Sequence, residues 1–352
     1  MTHTLIIGAG ITGAALAWNL TQRGEAVTIV STHAEGGLAS ASSFGWLNAS
    51  FYLSHPHYHL RYQGMAAHRR LCEALPGLPT TWQGCIWYEA AGAEQEAVAN
   101  DLVTLGYKLD RLTKAQIAAR LPALGPVPDS ALFFPEEGVA DPATLARALI
   151  KASGAKVIRA TVQSVTHADG KAIGVLTDAG PIAADRVVLA TGTGTPALLE
   201  PLGQDLPMLK RPGLMIATNP LPPICPVILA APEQEVRQDA EGRLHAPASA
   251  GHQGDHAEVL GAFPVVVNAT LQRLRALFPG HDIHFGQQAM AMRPVPGDGL
   301  PVVGRGPVDG LWLAVMHSGA TLAPVVAECL AAEITGSPDS PLLSDFRPGR
   351  FN

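Results

Sequence analysis

The chain has 352 residues, enough for two domains of ordinary size. Its 24 Lys and Arg against 30 Asp and Glu leave a net charge of −6, which argues against life on nucleic acid or an anionic membrane surface. Charged residues are only 15% and apolar residues 47%, the reverse of a disordered composition, and the 36 glycines and 29 prolines carry no collagen-like period.

The strongest local pattern comes first along the chain. Leu5-Ile6-Ile7 reads as a short apolar strand, and Gly8-Ala9-Gly10-Ile11-Thr12-Gly13 follows it directly. Residues 11–22 then read as a helix stopped by Gly24, and residues 26–30 as a second strand rich in β-branched residues. A GxGxxG run inside a complete βαβ unit is the dinucleotide-binding fingerprint. Gly8 permits the sharp turn, Gly10 lets the backbone approach a pyrophosphate, and Gly13 lets helix and strand pack closely. The helix N-terminus then offers N–H groups and a positive dipole end to the phosphates. The acid that should close the fingerprint at the end of the second strand is replaced by Ser31. Ser31-Thr32 can bond a ribose without charge assistance, and Glu35 could reach it from the loop.

Residues 36–46 form a loop rich in Gly, Ala and Ser, ending in Phe44-Gly45-Trp46, with backbone donors and hydroxyls suited to a long cofactor. Residues 56–75 and 93–120 read as helical, and Asp141-Pro142 as a cap followed by proline at the first helical position, opening a helix to about residue 152. Short strands follow at 156–160, 172–177 and 186–190, the last running into Ala190-Thr191-Gly192. Residues 206–290 read as strands and loops with one helix at 269–278. Leu311–Val315 is a strand, then comes a turn at Met316–Gly319 and a long apolar helix ending near Gly336.

His55, His57 and His59 would share a face only on a strand; on a helix they read as a solvated helix start, and no metal site is expected. The four cysteines are far apart and form no CxxC, so neither a disulfide framework nor structural zinc is expected, and a reducing compartment is the default. With no basic N-terminal region and no apolar run near the ~18 residues of a membrane span, a soluble cytoplasmic protein is expected. The sequence assigns no oligomeric state.

Five stretches, in order, together resemble the FAD-dependent D-amino-acid oxidase family, which includes glycine oxidase and sarcosine oxidase. They are Gly8–Gly13, Gly36–Ala49, Phe134–Pro142, Val187–Gly192, and the C-terminal pair Arg293–Gly304 and His317–Pro324. The resemblance implies an α/β fold, with a discontinuous Rossmann-like FAD-binding domain at 1–50, 140–205 and 295–352. A substrate domain built on a mixed or antiparallel sheet would take 51–139 and 206–294. It places the flavin pyrophosphate on Gly8, Gly10, Ile11, Thr12 and Gly13, and the adenosine ribose on Ser31 and Thr32. Ala39, Ser40, Phe44, Gly45 and Trp46 would line the path to the isoalloxazine, Val162 would contact adenine, and Gly192 would lie on the cofactor side. His317, Ser318, Gly319, Ala320 and Thr321 match the turn facing the flavin pyrimidine, where negative charge gathers on reduction.

Arg293 matches the arginine that pairs with a substrate carboxylate, its planar fork suiting that job better than lysine; anchoring a loop through Asp298 is its alternative. His317 could polarise substrate or oxygen, or be a hydrogen-bonded turn residue. No Cys or His stands where some relatives attach flavin, so FAD is expected to be non-covalent. The implied reaction is oxidation of a C–N bond in an amino acid or related amine, by hydride transfer to flavin N5. Oxidation of a 2-hydroxy acid or polyol, or service as the flavin-binding subunit of a larger complex, remain open.

Overall fold

The computed structural model describes residues 2–248 and 262–351; residues 249–261 of the expected substrate domain lie outside the described residues. The chain divides into two compact units, one of Met1–Pro79, Ala140–Arg211 and Met292–Asn352, the other of Thr80–Val139 and Pro212–Ala291.

The first unit is built on a six-stranded sheet. Its strands are β1 (His3–Ile7), β2 (Ala26–Ser31), β3 (Lys156–Arg159), β4 (Arg186–Leu189), β5 (Val302–Arg305) and β6 (Leu311–Val315). Their order is β5-β6-β4-β1-β2-β3. β3, β2, β1, β4 and β6 run parallel, and only β5 pairs antiparallel. The central strands are apolar along their length because both faces are covered, as parallel sheets require. Leu5, Ile7, Val187 and Leu189 enter a core shared with Val165, Ala172 and Val175. Those last three come from an antiparallel three-stranded sheet of Val162–Ala168, Lys171–Thr177 and Gly180–Ala183. Ile6 points the other way, toward α1 (Ile11–Gln22).

After α1 come the short α2 (Leu38–Ala41), α3 (His55–Ala74), α4 (Pro142–Ser153) and α5 (Gly319–Ile334). α1 packs on α4 and α5, and α3 packs on α5. Asp141 caps α4 by accepting the Ala143 and Thr144 N–H groups, with Pro142 at the first helical position, and Gly154 closes it in the left-handed conformation. α3 starts at Ser54, whose hydroxyl accepts the His57 N–H.

The second unit carries an eight-stranded mixed sheet. A parallel contact joins Ile228–Ala231 to Cys85–Trp87, where the two chain segments of the unit meet. Its core gathers Ile86, Leu112, Leu229 and Val236 with Leu271, Leu274 and Phe278.

The sequence reading needs correcting in five places. Residues 51–79 belong to the first unit, because α3 buries Tyr58, Leu60, Met65 and Leu71 and packs on α5. Residues 206–211 and 292–294 join it too, since Met208–Leu209 pairs with Val295–Pro296 and the Arg293 N–H bonds the Arg211 carbonyl. The stretch 93–120 is two helices, Gly92–Thr104 and Lys114–Arg120, separated at Gly106 and by the strand Asp110–Thr113. The helix placed at 269–278 starts at Phe263, with Pro264 in its first turn. The strand read around Val162 runs on to Ala168, and Gly180–Ala183, made of Gly, Pro, Ile and Ala, is a strand with no alternation to signal it.

Candidate functional site

The candidate residues of the first unit lie just past the carboxyl ends of its parallel strands, where open α/β sheets bind ligands. β1 leads into Gly8, β2 into Thr32, β3 into Val162, β4 into Gly192 and β6 into His317.

At the end of β1 the chain turns through Gly8 at φ +113°, a conformation that L residues rarely adopt. A Cβ there would strike the Ala190 carbonyl, and one on Gly13 would strike the Gly8 carbonyl. Gly10 differs: its Cβ would meet only Ser40 Oγ, at 3.4 Å. The space in front of Gly10 is thus open, while Gly8 and Gly13 serve close packing. The Gly36 N–H bonds the Ala9 carbonyl, and a Cβ on Gly37 would stand 2.8 Å from the Gly10 Cα. Gly37 is therefore part of the cradle, a role that sequence spacing alone did not single out. Ser40, in α2 beside Ala39, accepts the Ile11 N–H at 3.1 Å. The Thr12 and Gly13 amides stand in the first turn of α1, where a helix offers no intrahelical acceptor.

α5 begins at the same place. Its cap, Ser318, is a non-glycine residue at φ +56°, the kind of strained position that clusters at ligand-binding turns. A Cβ on Gly319 would lie 3.6 Å from Ile11 Cγ2 and 3.7 Å from Thr12 Oγ1, so the starts of α1 and α5 adjoin. Two helix N-termini at one spot favour a negatively charged ligand. Ser318 Oγ bonds His317 Nδ1 at 3.3 Å. Thr321 donates from Oγ1 to the Trp46 carbonyl at 3.0 Å, which ties the α5 turn to the Phe44–Trp46 loop. That loop is held in turn by Gly45, whose carbonyl accepts the Ala140 N–H.

Ser31 and Val162 lie at neighbouring strand ends, and the Ala160 N–H bonds the Ser31 carbonyl. The Ser31 side chain is buried and donates to the His33 carbonyl at 2.9 Å. Its proton is committed, so it can only accept from a ribose hydroxyl; Thr32 and Glu35 are exposed on the loop beyond.

Arg293 is half-buried, and its neighbour Pro294 lies 3.4 Å from where a Gly192 Cβ would stand, which brings the substrate-side segment to the end of β4. Asp298, the alternative anchor for Arg293, is gripped bidentately by Arg350, at 2.7 and 3.1 Å.

The solvated reading of His55–His59 also needs correcting. His55 and His59 are exposed, but His57 is buried, and its Nδ1 accepts the Leu53 N–H at 3.2 Å. Burial, with Arg61 and His317 nearby, lowers its pKa to about 3, so it is a neutral imidazole. Arg61 is buried as well and bonds both the carbonyl and the side chain of Asn48. Neither residue carried a sequence signal. The run His-Pro-His-Tyr-His-Leu-Arg looks solvated, and packing of α3 against α5 and the closing segment, where His57 meets the Phe346 ring, buries part of it. No cluster of metal-ligating residues occurs among the described residues, and no helix among them is long and apolar enough to cross a membrane.

A βαβ glycine cradle at a parallel sheet, with a second helix N-terminus against it, defines the class of dinucleotide-binding α/β proteins. Residues 3–333 match the FAD dependent oxidoreductase family, and the chain belongs to that family. Its sequence is 26% identical over 401 residues to the tRNA 5-methylaminomethyl-2-thiouridine biosynthesis bifunctional protein MnmC of Chromohalobacter salexigens, covering 99% of this chain and 56% of the relative. It is 25% identical over 424 residues to the D-amino acid dehydrogenase of Paramagnetospirillum magneticum, covering 99% and 98%. The glycine oxidase of Bacillus cereus superimposes with a TM-score of 0.87 at 20% identity over 98% of both chains, a likeness of fold. The chain spans about half the length of several curated relatives it matches.

The cradle residues fit FAD, the cofactor that the family's description names. The open space before Gly10 admits a phosphate, the first-turn amides of α1 face it, and no acidic side chain is bonded to the cradle residues among the described residues.

Proposed function

We propose that the protein oxidises the C–N bond of an amino acid or related carboxylate-bearing amine, with non-covalent FAD held by the first unit. The observation that carries this reading is the meeting of the α1 and α5 N-termini at Gly10, Ile11, Thr12 and Gly319. A diphosphate belongs at α1. The α5 turn, His317 to Thr321, belongs at the flavin pyrimidine, where its N-terminal dipole favours the reduced, more negative ring. Val162, Ser31 and Thr32 take the adenosine end; Ala39, Ser40, Phe44, Gly45, Trp46 and Gly192 flank the rest. The chemistry that FAD supplies when bound is acceptance of a hydride at N5 from the substrate carbon bearing nitrogen, after which the imine hydrolyses in water.

The protein's part is to bind and orient. Arg293 receives the substrate carboxylate with its two-pronged guanidinium, its main chain fixed to Arg211 and its neighbouring acid already held by Arg350. When the Ser318 hydroxyl donates to His317 Nδ1, the ring proton sits on Nε2, the group assigned to polarise substrate or oxygen.

Relatives named as amino-acid dehydrogenase and glycine oxidase support an amine over an alcohol. The chain's coverage of only about half of the bifunctional relatives supports a second reading, in which it works beside a partner activity. Anaerobic addition of substrates to the flavin-loaded chain separates these. Glycine, sarcosine or D-amino acids should bleach the flavin; bleaching by 2-hydroxy acids alone overturns the amine reading, and no bleaching by either class supports the subunit.

A further inference from the structure

We propose that His68 supplies to the first turn of α5 the hydrogen bond that Pro324 removes, and so positions the turn Ser318–Thr321 against the flavin. In an α-helix the N–H of residue i bonds the carbonyl of residue i−4. Pro324 lies inside α5 and has no N–H, so the Ala320 carbonyl loses its intrahelical donor. That carbonyl is met from another helix: His68 Nε2 on α3 lies 2.6 Å from it. A carbonyl only accepts, so Nε2 carries the proton.

The imidazole is fully buried, and its Nδ1 has no hydrogen-bond partner among the described residues. Holding an unmet nitrogen in the interior is costly, so this ring sits there for its other nitrogen. One turn earlier on α3, a Cβ on Gly64 would stand 2.5 Å from the Thr321 carbonyl, so the two backbones touch. The α5 turn is thereby fixed on three sides: by α1 at Gly319, by the Trp46 carbonyl at Thr321, and by His68 at Ala320. The two other contacts act on neighbouring residues, and the bond from His68 acts on the Ala320 carbonyl itself.

This inference rests on the proposal that the α5 turn faces the flavin, and a double-substitution cycle separates the two. His68→Leu should weaken FAD binding about tenfold, the scale of one buried unmet carbonyl, and move the flavin midpoint potential to more negative values. Pro324→Ala restores an N–H at position 324. The double variant His68→Leu/Pro324→Ala should therefore bind FAD within about threefold of Pro324→Ala alone, since the remaining bond is intrahelical. His68→Gln, which keeps a donor, should fall between wild type and His68→Leu. A double variant no better than His68→Leu overturns the substitution of one donor for the other. Rescue seen only in melting temperature, with FAD affinity and potential unmoved by His68→Leu, overturns the positioning role. If the wild-type chain binds no FAD, the proposed function fails instead, and the melting-temperature cycle of the apoprotein still decides whether positions 68 and 324 are coupled.

Discussion

A methyl group on Gly10 would meet only the Ser40 hydroxyl, whereas on Gly13 it would run into the Gly8 carbonyl. Gly10 has φ −76°, which any residue adopts, so Gly10→Val should leave the apoprotein folded and abolish FAD binding. Gly13→Ala should cost about 1–3 kcal/mol of stability through overpacking. Urea unfolding and FAD titration of both variants check the pair; stoichiometric FAD in folded Gly10→Val would refute the placement of the pyrophosphate. Arg293→Ala should lower kcat/KM for a carboxylate-bearing amine by roughly 30- to several-thousand-fold, because the anion is left without its partner. Arg293→Lys should recover part of that loss, since a point charge does not reproduce the fork. FAD content should stay near wild type in both, and full efficiency in Arg293→Ala would mean that the anion is held elsewhere.

At the scale of elements, α3 buries two neutral histidines. Burial holds His57 at about 3 and His68 at about 4, the latter against the opposing pull of its bond to Ala320. Both values lie below the ordinary imidazole value of 6.5, so the unfolded chain takes up protons first as pH falls. Their stabilisation is complete above about pH 6.5 and is lost progressively toward pH 4, by a few kcal/mol per residue at most. Denaturant midpoints measured between pH 7.5 and 4.5 should drop more steeply for wild type than for His68→Gln; parallel curves would contradict a neutral buried His68.

α3 also marks where sequence reading reaches its limit. The βαβ unit was legible because strand, glycines, helix and second strand are consecutive and each signals locally. The α4 start was legible for the same reason, through Asp141 and Pro142. His57, Arg61 and His68 were not, because their surroundings are set by tertiary packing: Phe346 lies beside His57, Asn48 bonds Arg61, and Ala320 of α5 meets His68. The commitment of Ser31 to the His33 carbonyl and the hold of Arg350 on Asp298 were equally out of reach, being choices among several possible partners.

For the molecule as a whole, the closing segment does more than its irregular sequence suggests. Phe346 is fully buried, and Arg347 grips Glu333 of α5 through two hydrogen bonds, at 2.8 and 2.9 Å. The Glu333 side chain is only 1% exposed, so removing its partner strands a buried charge. Arg347→Ala should cost about 3 kcal/mol in chemical denaturation, and a loss below about 0.5 kcal/mol, the surface-pair range, would show the pair to be solvated. Through α5 this segment supports the same helix whose N-terminus the proposed site uses.

In the proposed function the cradle holds a dinucleotide and uses both of its halves. Its most direct test is reconstitution of the flavin-stripped chain with FAD and with FMN, followed by equilibrium binding and release under mild denaturation. One FAD per chain should be retained without a covalent link. FMN should bind far more weakly, because it lacks the adenosine half assigned to the ends of β2 and β3. A colourless protein that takes up no FAD, or one that holds FMN as tightly as FAD, would contradict it.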